Sequence, residues 1–151
     1  WAARHPWRGR RPLGVLHCFS GDAALADAAL AAGFYLGLDG PLTYKKADDL
    51  RAIAAAVPLD RVVVETDAPF LTPEPYRGRR NEPAHVRLVA ERLAEVRGLP
   101  YDAIAQATTA NAHRLFPRLL LDDRRPTTAD RRPTTADRRP PTADRPLTTD
   151  H

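Results

Sequence analysis

The chain has 151 residues, 23 Lys and Arg against 19 Asp and Glu, and 43% hydrophobic residues, which fits one modest globular domain. No run approaches the roughly 18 apolar residues that a spanning helix needs, so we expect no membrane contact. The net charge of +4 is a mild excess that permits a nucleic-acid partner without requiring one. The chain begins at Trp1 and holds no methionine, so we expect upstream sequence in the native protein.

Cysteine usage points to a reducing compartment. The single cysteine, Cys18, has no partner for an internal disulfide, and no charged-then-apolar signal segment precedes the first strand pattern. We therefore expect a cytoplasmic protein. Cys18 is expected to be a small buried side chain rather than a nucleophile, because no Cys-His-Asn arrangement accompanies it.

The composition changes abruptly after Leu121. From Asp122 the chain repeats the seven-residue unit DRRPTTA, with proline in every unit and almost no apolar residue. This pattern predicts a disordered, low-complexity tail over residues 122–151 and a folded body over residues 1–121. The recurring arginine pairs allow an alternative role as a basic arm that binds phosphate, although an aspartate accompanies nearly every pair.

Removal of residues 122–151 is expected to leave the thermal melting of the folded body unchanged. The tail carries almost no apolar surface to offset an ordering cost of about 1–2 kcal/mol per residue. Calorimetry of the full and truncated chains checks this expectation. A fall of several degrees on truncation would show that the tail docks on the body.

Within the body, short β-rich runs alternate with longer helical stretches, which is the order typical of βαβ units with parallel strands. The sequence therefore predicts an α/β fold. Turn, capping and proline signals set the boundaries. We predict strands at 13–16, 34–38 and 61–66, helices at 23–32, 47–56, 83–97 and 101–116, and a long loop at 67–82.

Three parallel strands form an incomplete sheet, because two of them keep an unpaired edge and parallel strands need both faces covered. The simplest completion is a closed (β/α)₈ barrel of the TIM type. In such barrels the active site lies at the carboxyl ends of the strands.

Ionisable residues lie at those predicted strand ends. His17 directly follows the first strand, and Glu65 and Asp67 end the third. Imidazole nitrogen and carboxylate oxygen together suit Zn²⁺, Mn²⁺ or Mg²⁺, and a carboxylate beside a metal also accepts a proton from bound water. A capping role at the strand ends is the alternative. Glu65 alternates with Asp67 on one strand face, so it either supports the site from behind the ligands or makes a structural hydrogen bond.

Arginines at 77, 79 and 80 lie in the long loop beside the expected mouth of the site. They either contact substrate phosphates or only solubilise the loop. His85 and His113 fall within predicted helices, and we expect surface or capping roles for both.

Four segments carry a family resemblance when they are taken in order. They are LHCFSG, the run YLGLDGPLTYKKADDLRAIAAAVPLDRVVVETDAPFLTP, YRGRRNEPAHV and TTANAHRLF. Together, from about Gly14 to Phe116, they resemble the C-terminal half of the TatD family of metal-dependent deoxyribonucleases and related hydrolases. The resemblance implies a (β/α)₈ barrel with one or two divalent metal ions at the strand ends, of which this chain supplies about the last three strands.

The resemblance also implies roles for single residues. His17 corresponds to a metal ligand, and Asp67 corresponds to the metal-bound carboxylate that activates the water. The RGxxNEP segment places Arg77 and Asn81 on the loop after the last strand, where we expect contacts with substrate. The identity of the metal stays open among Zn²⁺, Mg²⁺ and Mn²⁺.

Other parts of the family pattern have no counterpart in this sequence: an HxH pair on the first strand, a glutamate on a middle strand and a histidine on the fifth. We therefore expect the intact protein to be a metal-dependent hydrolase that cleaves DNA, with this chain inactive alone. Two alternatives stay open. One is a related barrel that acts on another ester or amide, and the other is a non-catalytic remnant that binds nucleic acid through its arginine-rich loop and tail. The sequence suggests no protein partner.

Overall fold

The computed structural model describes residues 12–120, so the predictions for the tail at 122–151 lie outside the described residues. Among those residues, no helix combines the length and apolar character needed to cross a membrane. The strands are β1 (Gly14–Leu16), β2 (Phe34–Leu38) and β3 (Val62–Val64); the helices are α1 (Ala23–Ala32), α2 (Asp48–Ala56), α3 (Val86–Arg97) and α4 (Tyr101–Leu115). Short 3₁₀ turns lie at Gly40–Thr43, Leu59–Arg61, Pro83–His85 and Pro117–Leu120.

The three strands form one parallel sheet in the order β1-β2-β3, which confirms the predicted α/β architecture. Leu38 at the end of β2 pairs with Val64 at the end of β3, whereas Leu16 at the end of β1 pairs with Leu36, so β1 ends two residues before its neighbours. The pairing continues one step beyond β3, because the Glu65 amide donates to the Leu38 carbonyl at 2.9 Å. The carboxyl ends of all three strands therefore meet at one edge.

Capping chemistry fixes the first helix where the sequence predicts it. The Asp22 carboxylate accepts a hydrogen bond from the Leu25 amide at 2.8 Å, which satisfies one of the free donors of the first turn. Gly33 ends the helix in the left-handed region with φ of 96°, a conformation that costs glycine little. The predictions for α1 and β2 are confirmed to the residue.

The core lies between the sheet and the helices that follow β2 and β3. Leu36 and Val62 from the strands are fully buried together with Leu93 on α3 and Ile104 on α4. The buried Asn111 side chain adds a polar link, since its Nδ2 donates to the carbonyls of Leu59 and Val62. Helix α4 is thereby attached to the start of β3, the strand that carries the acidic residues.

The predicted third strand at 61–66 is too long. Arg61 closes a 3₁₀ turn, and Asp67 adopts a φ of 55°, which takes the chain out of the extended conformation soon after β3. The helix predicted from Pro83 begins instead with a 3₁₀ turn, and α3 follows it. The other helix limits differ by one residue, since α2 begins at Asp48 and α4 ends at Leu115.

Candidate metal centre

Three of the predicted site residues meet at the carboxyl edge of the sheet. His17 follows β1, and its Nε2 lies 3.1 Å from Asp67 Oδ1. The other ring nitrogen of His17, Nδ1, lies 2.8 Å from Glu65 Oε2. The imidazole thus lies between two carboxylates that both come from the segment after β3.

Glu65 orients the imidazole. Its Oε1 accepts a hydrogen bond from the Cys18 amide at 2.5 Å, while its Oε2 faces His17 Nδ1. Both carboxylate oxygens are therefore engaged, and His17 Nε2 is directed toward Asp67. A histidine that donates one ring N–H to a carboxylate and presents the other nitrogen is the arrangement that metal-binding histidines adopt.

The contact with Glu65 also makes His17 a stronger base. The hydrogen bond and negative charge of Glu65, assisted by Asp67, raise the pKa of His17 above its ordinary value of 6.5, although partial burial opposes them. The metal-free site therefore holds a proton more tightly than a free histidine does. A metal ion must displace that proton in order to bind, so its affinity depends on pH.

In the metal-free chain, His17 is expected to titrate above pH 6.5, and Glu65→Gln is expected to lower its pKa. A raised pKa in the folded state means that the protonated form stabilises folding. That contribution is fully present below the unfolded value and is lost as the pH rises through the folded value. Titration of the imidazole signals by NMR measures this directly. A His17 pKa at or below 6.5 would contradict the contact with Glu65.

A glycine on β2 makes room for the Glu65 carboxylate. A Cβ placed at Gly37 would lie 2.5 Å from Glu65 Oε1 and 2.7 Å from its carboxyl carbon. Only a residue without a side chain leaves space for this approach, because a carbon and an oxygen at that separation overlap. Gly37 is therefore part of the site even though it carries no functional group.

Gly37→Ala is expected to push Glu65 away from His17 while β2 stays paired in the sheet. The pKa of His17 should then fall toward its ordinary value, because its hydrogen-bond partner and nearest negative charge are displaced. NMR titration gives the pKa, and circular dichroism verifies the fold. An unchanged His17 pKa in a folded variant would show that Glu65 tolerates the methyl group.

Cys18 lies close to the imidazole but offers a poor ligand. Its Sγ is 3.2 Å from His17 Nε2, and ligand atoms of His17, Cys18 and Glu65 lie within 4.8 Å of one another. Burial, followed by the hydrogen bond and charge of Asp39, raises the pKa of the Cys18 thiol well above its usual range. In the metal-free site the thiol therefore stays protonated, and a protonated thiol is neither a strong metal ligand nor a nucleophile.

Asp39 is a further acidic residue at this edge that the predicted site did not include. This carboxyl follows β2 directly, is 1% exposed, and keeps Oδ2 without a hydrogen-bond partner among the described residues. Burial raises its pKa, and the charges of Glu65 and Asp67 add to the effect. The signal was present, because Asp39 follows the apolar run of β2 as His17 follows β1.

Two residues at the site, one after β1 and one after β3, have a strained backbone conformation. Cys18 and Asp67 have φ values of 47° and 55°, in the left-handed region that residues other than glycine rarely occupy. Cys18 directly follows His17, and Asp67 is itself the other member of the pair. Such conformations cost about 1–3 kcal/mol each and are concentrated at functional sites, where the surrounding structure holds them in place.

The His17 and Asp67 atoms fit a divalent cation. Two ligands about 2.1 Å from one ion, at angles of about 90° to 109°, lie about 3.0–3.4 Å apart. The observed separation between His17 Nε2 and Asp67 Oδ1 is 3.1 Å. Asp39 follows β2 at the same edge, and its Oδ2 has no hydrogen-bond partner among the described residues. His17 and Asp67 would hold the ion, with Glu65 behind the histidine.

Asn81 does not point outward as a substrate contact should. It is 2% exposed, and its Nδ2 donates to the carbonyls of Thr66 and Phe70, each at 2.6 Å. Both amide hydrogens are therefore used inside the loop, so Asn81 has a structural role there, and a contact with substrate stays a prediction. The long loop after β3 has no ladder of its own, so its buried carbonyls need side-chain donors.

Arg77 remains exposed and available. Its guanidinium lies 4.1 Å from the centre of the Tyr44 ring, a distance typical of cation–π contacts. The pair lines a groove of about 1070 Å³ together with Lys45 and Lys46. Arg79 and Arg80 are also exposed on the same loop. His85 instead stacks on Tyr76, with 4.9 Å between the ring centres, which agrees with a local structural role.

Comparison with known proteins gives matches over the same span. The sequence profile of the family described as TatD related DNase matches residues 5–117. The uncharacterized metal-dependent hydrolase YabD of Bacillus subtilis (strain 168) is 47% identical over 103 residues, which are 68% of this chain and 40% of the relative. The 3'-5' ssDNA/RNA exonuclease TatD of Pectobacterium parmentieri is 40% identical over 116 residues, 74% of this chain and 45% of the relative.

A solved structure shares the fold. The TatD homologue YjjV of Escherichia coli K12 superposes with a TM-score of 0.65 and 36% sequence identity, over 69% of this chain and 40% of that one. The sheet and helices described above are thus part of a (β/α)₈ barrel, as the sequence predicts. The chain spans about two fifths of the length of the relatives that it matches. From the profile match and these relatives, we conclude that the chain belongs to the TatD-related DNase family.

Proposed function

We propose that this chain is part of a metal-dependent phosphodiesterase that cleaves nucleic acid, with DNA as the expected substrate. The observation that carries the proposal is the 3.1 Å approach of His17 Nε2 to Asp67 Oδ1, with Glu65 behind the histidine. The Pectobacterium relative, whose name describes a nuclease of single-stranded DNA and RNA, supports the choice of substrate.

The residues of this chain have distinct tasks in such a reaction. His17 Nε2 and Asp67 would hold a divalent cation, whose chemistry when bound is to polarise a phosphoryl oxygen and to acidify water. Asp67 also accepts a proton from the attacking water, because a carboxylate within hydrogen-bond reach serves as a general base. Glu65 keeps the His17 ring in the orientation that presents Nε2.

The loop after β3 carries exposed positive charge. Arg77, Arg79 and Arg80 are exposed there, and a guanidinium binds phosphate oxygens in a bidentate manner. These arginines would position the phosphodiester and offset its negative charge. A neutral ester or amide carries no negative charge for these arginines to bind, so the arginines favour a phosphodiester substrate.

The test uses a hybrid protein in which residues 5–117 of this chain replace the corresponding region of the Pectobacterium exonuclease. With Mn²⁺, Mg²⁺ or Zn²⁺, the hybrid protein should release nucleotides from single-stranded DNA, and a chelator should abolish the release. Chain 1–151 without the remaining barrel strands should be inactive. Hydrolysis of a simple ester or amide but not of DNA, or binding of DNA without hydrolysis, would overturn the proposal.

A further inference from the structure

Phe70 is exposed at the edge of the candidate centre. It is 68% exposed, the highest value among the large hydrophobic side chains of the described residues. Its amide donates to the Asp67 carbonyl at 2.8 Å, which closes a tight turn. In such a turn the Cα atoms of the first and fourth residues lie within about 7 Å, so the ring begins close to the acidic ligand.

The backbone that presents Phe70 is fixed. The buried Asn81 side chain donates to the Phe70 and Thr66 carbonyls, and the Asn81 amide donates to the Pro69 carbonyl at 3.1 Å. On the other side, the loop packs so closely on Gly40 that a Cβ there would lie 1.7 Å from the Leu71 carbonyl oxygen. An exposed aromatic ring on a fixed backbone loses little entropy when it binds a flat partner.

Other residues of the loop that carries Phe70 indicate which flat partner fits. Exposed arginines at 77, 79 and 80 lie on the same loop, and Arg77 already packs on the ring of Tyr44. Exposed aromatic rings among arginines are typical of surfaces that bind single-stranded nucleic acid, where bases stack on the rings and phosphates contact the cations. In a duplex, each base already stacks on its neighbours, and its faces are not available.

The spacing suits a nucleotide adjacent to the cleaved bond. Stacked bases along one strand are about 3.4 Å apart, and the turn from Asp67 to Phe70 spans about 7 Å at most. A base next to a phosphate bound at Asp67 is therefore close enough to contact Phe70. We propose that Phe70 is a stacking platform for the unpaired nucleobase next to the cleaved phosphodiester. In this arrangement Asn81 is the residue that positions Phe70. The inference rests on the proposed nuclease function and adds the side chain on which the base stacks.

Binding of a short labelled single-stranded DNA to chain 1–151, measured by fluorescence anisotropy without metal, tests the platform. Phe70→Ala should weaken binding about 5- to 150-fold, which corresponds to about 1–3 kcal/mol for one stacked base. Phe70→Trp should bind as the wild type does. Phe116→Ala removes another exposed phenylalanine, 48% exposed beyond α4, and should have no effect.

An abasic oligonucleotide distinguishes stacking from a general apolar contact. Wild type, Phe70→Ala and Asn81→Ala should bind an oligonucleotide without bases equally weakly, whereas both variants should bind the normal strand less tightly than the wild type. Equal losses for Phe70→Ala and Phe116→Ala, a loss that persists with the abasic strand, or no binding by the wild-type chain would each overturn the platform.

The hybrid protein separates this inference from the proposed function. Phe70→Ala there should raise KM for single-stranded DNA and leave KM for an abasic strand unchanged, because the abasic strand offers no base to stack on the ring. If the hybrid protein hydrolyses nothing while Phe70→Ala still weakens binding, the platform stands and the nuclease proposal fails. If hydrolysis proceeds with an unchanged KM in Phe70→Ala, the nuclease proposal stands and the platform fails.

Discussion

Asp67→Asn is expected to lower the metal-dependent hydrolysis of DNA by the hybrid protein by about 10²–10⁴-fold, the range that a general base contributes. The amide occupies the space of the carboxylate, so the loop after β3 keeps its shape. It carries no negative charge and is a poor base, so the attacking water loses its proton acceptor. Initial rates at saturating metal measure the effect.

Asp27→Asn is a matched control for this substitution. Asp27 is an exposed carboxylate on α1, outside the loop after β3, and the change removes one negative charge in the same way. The control should keep the rate of the unsubstituted hybrid protein. Near-normal activity of Asp67→Asn would remove Asp67 from the role of base and would withdraw the central assignment.

His17→Ala is expected to act chiefly on metal affinity. Loss of an outer partner of a metal ligand lowers metal affinity about 10–100-fold, or about 1.4–2.8 kcal/mol. Loss of the imidazole removes a ligand itself, so metal affinity should fall at least as much. Excess metal should therefore partly restore the rate, because the other ligands remain. The measurement is the hydrolysis rate against metal concentration. A loss of rate that no metal concentration improves would show that His17 acts in the chemical step.

The sequence predicted the residues that meet at the sheet edge because their signal is local. An uninterrupted apolar run such as Val62–Val64 predicts a buried strand, and the ionisable residue after it then lies at the rim. Parallel pairing brings such rims together, so His17 and Asp67 become neighbours although 50 positions separate them. The same rule applied to β2 would have found Asp39.

The contacts within the site depend on side-chain directions that no local pattern encodes. Asn81 belongs to a motif that suggests substrate contact, but the carbonyls of Thr66 and Phe70 need its amide hydrogens. Glu65 faces His17 only because Gly37 leaves the space above β2 empty. Both facts arise from packing between distant segments, which requires the folded chain.

The location of a bound metal ion tests the central claim most directly. Crystals of the hybrid protein soaked with Mn²⁺ give an anomalous difference peak wherever the ion binds. We expect a peak within about 2.0–2.2 Å of His17 Nε2 and of an Asp67 carboxylate oxygen. We also expect Glu65 to remain hydrogen-bonded to His17 Nδ1. A peak elsewhere, or an ion at the strand ends that neither His17 nor Asp67 touches, would contradict the account.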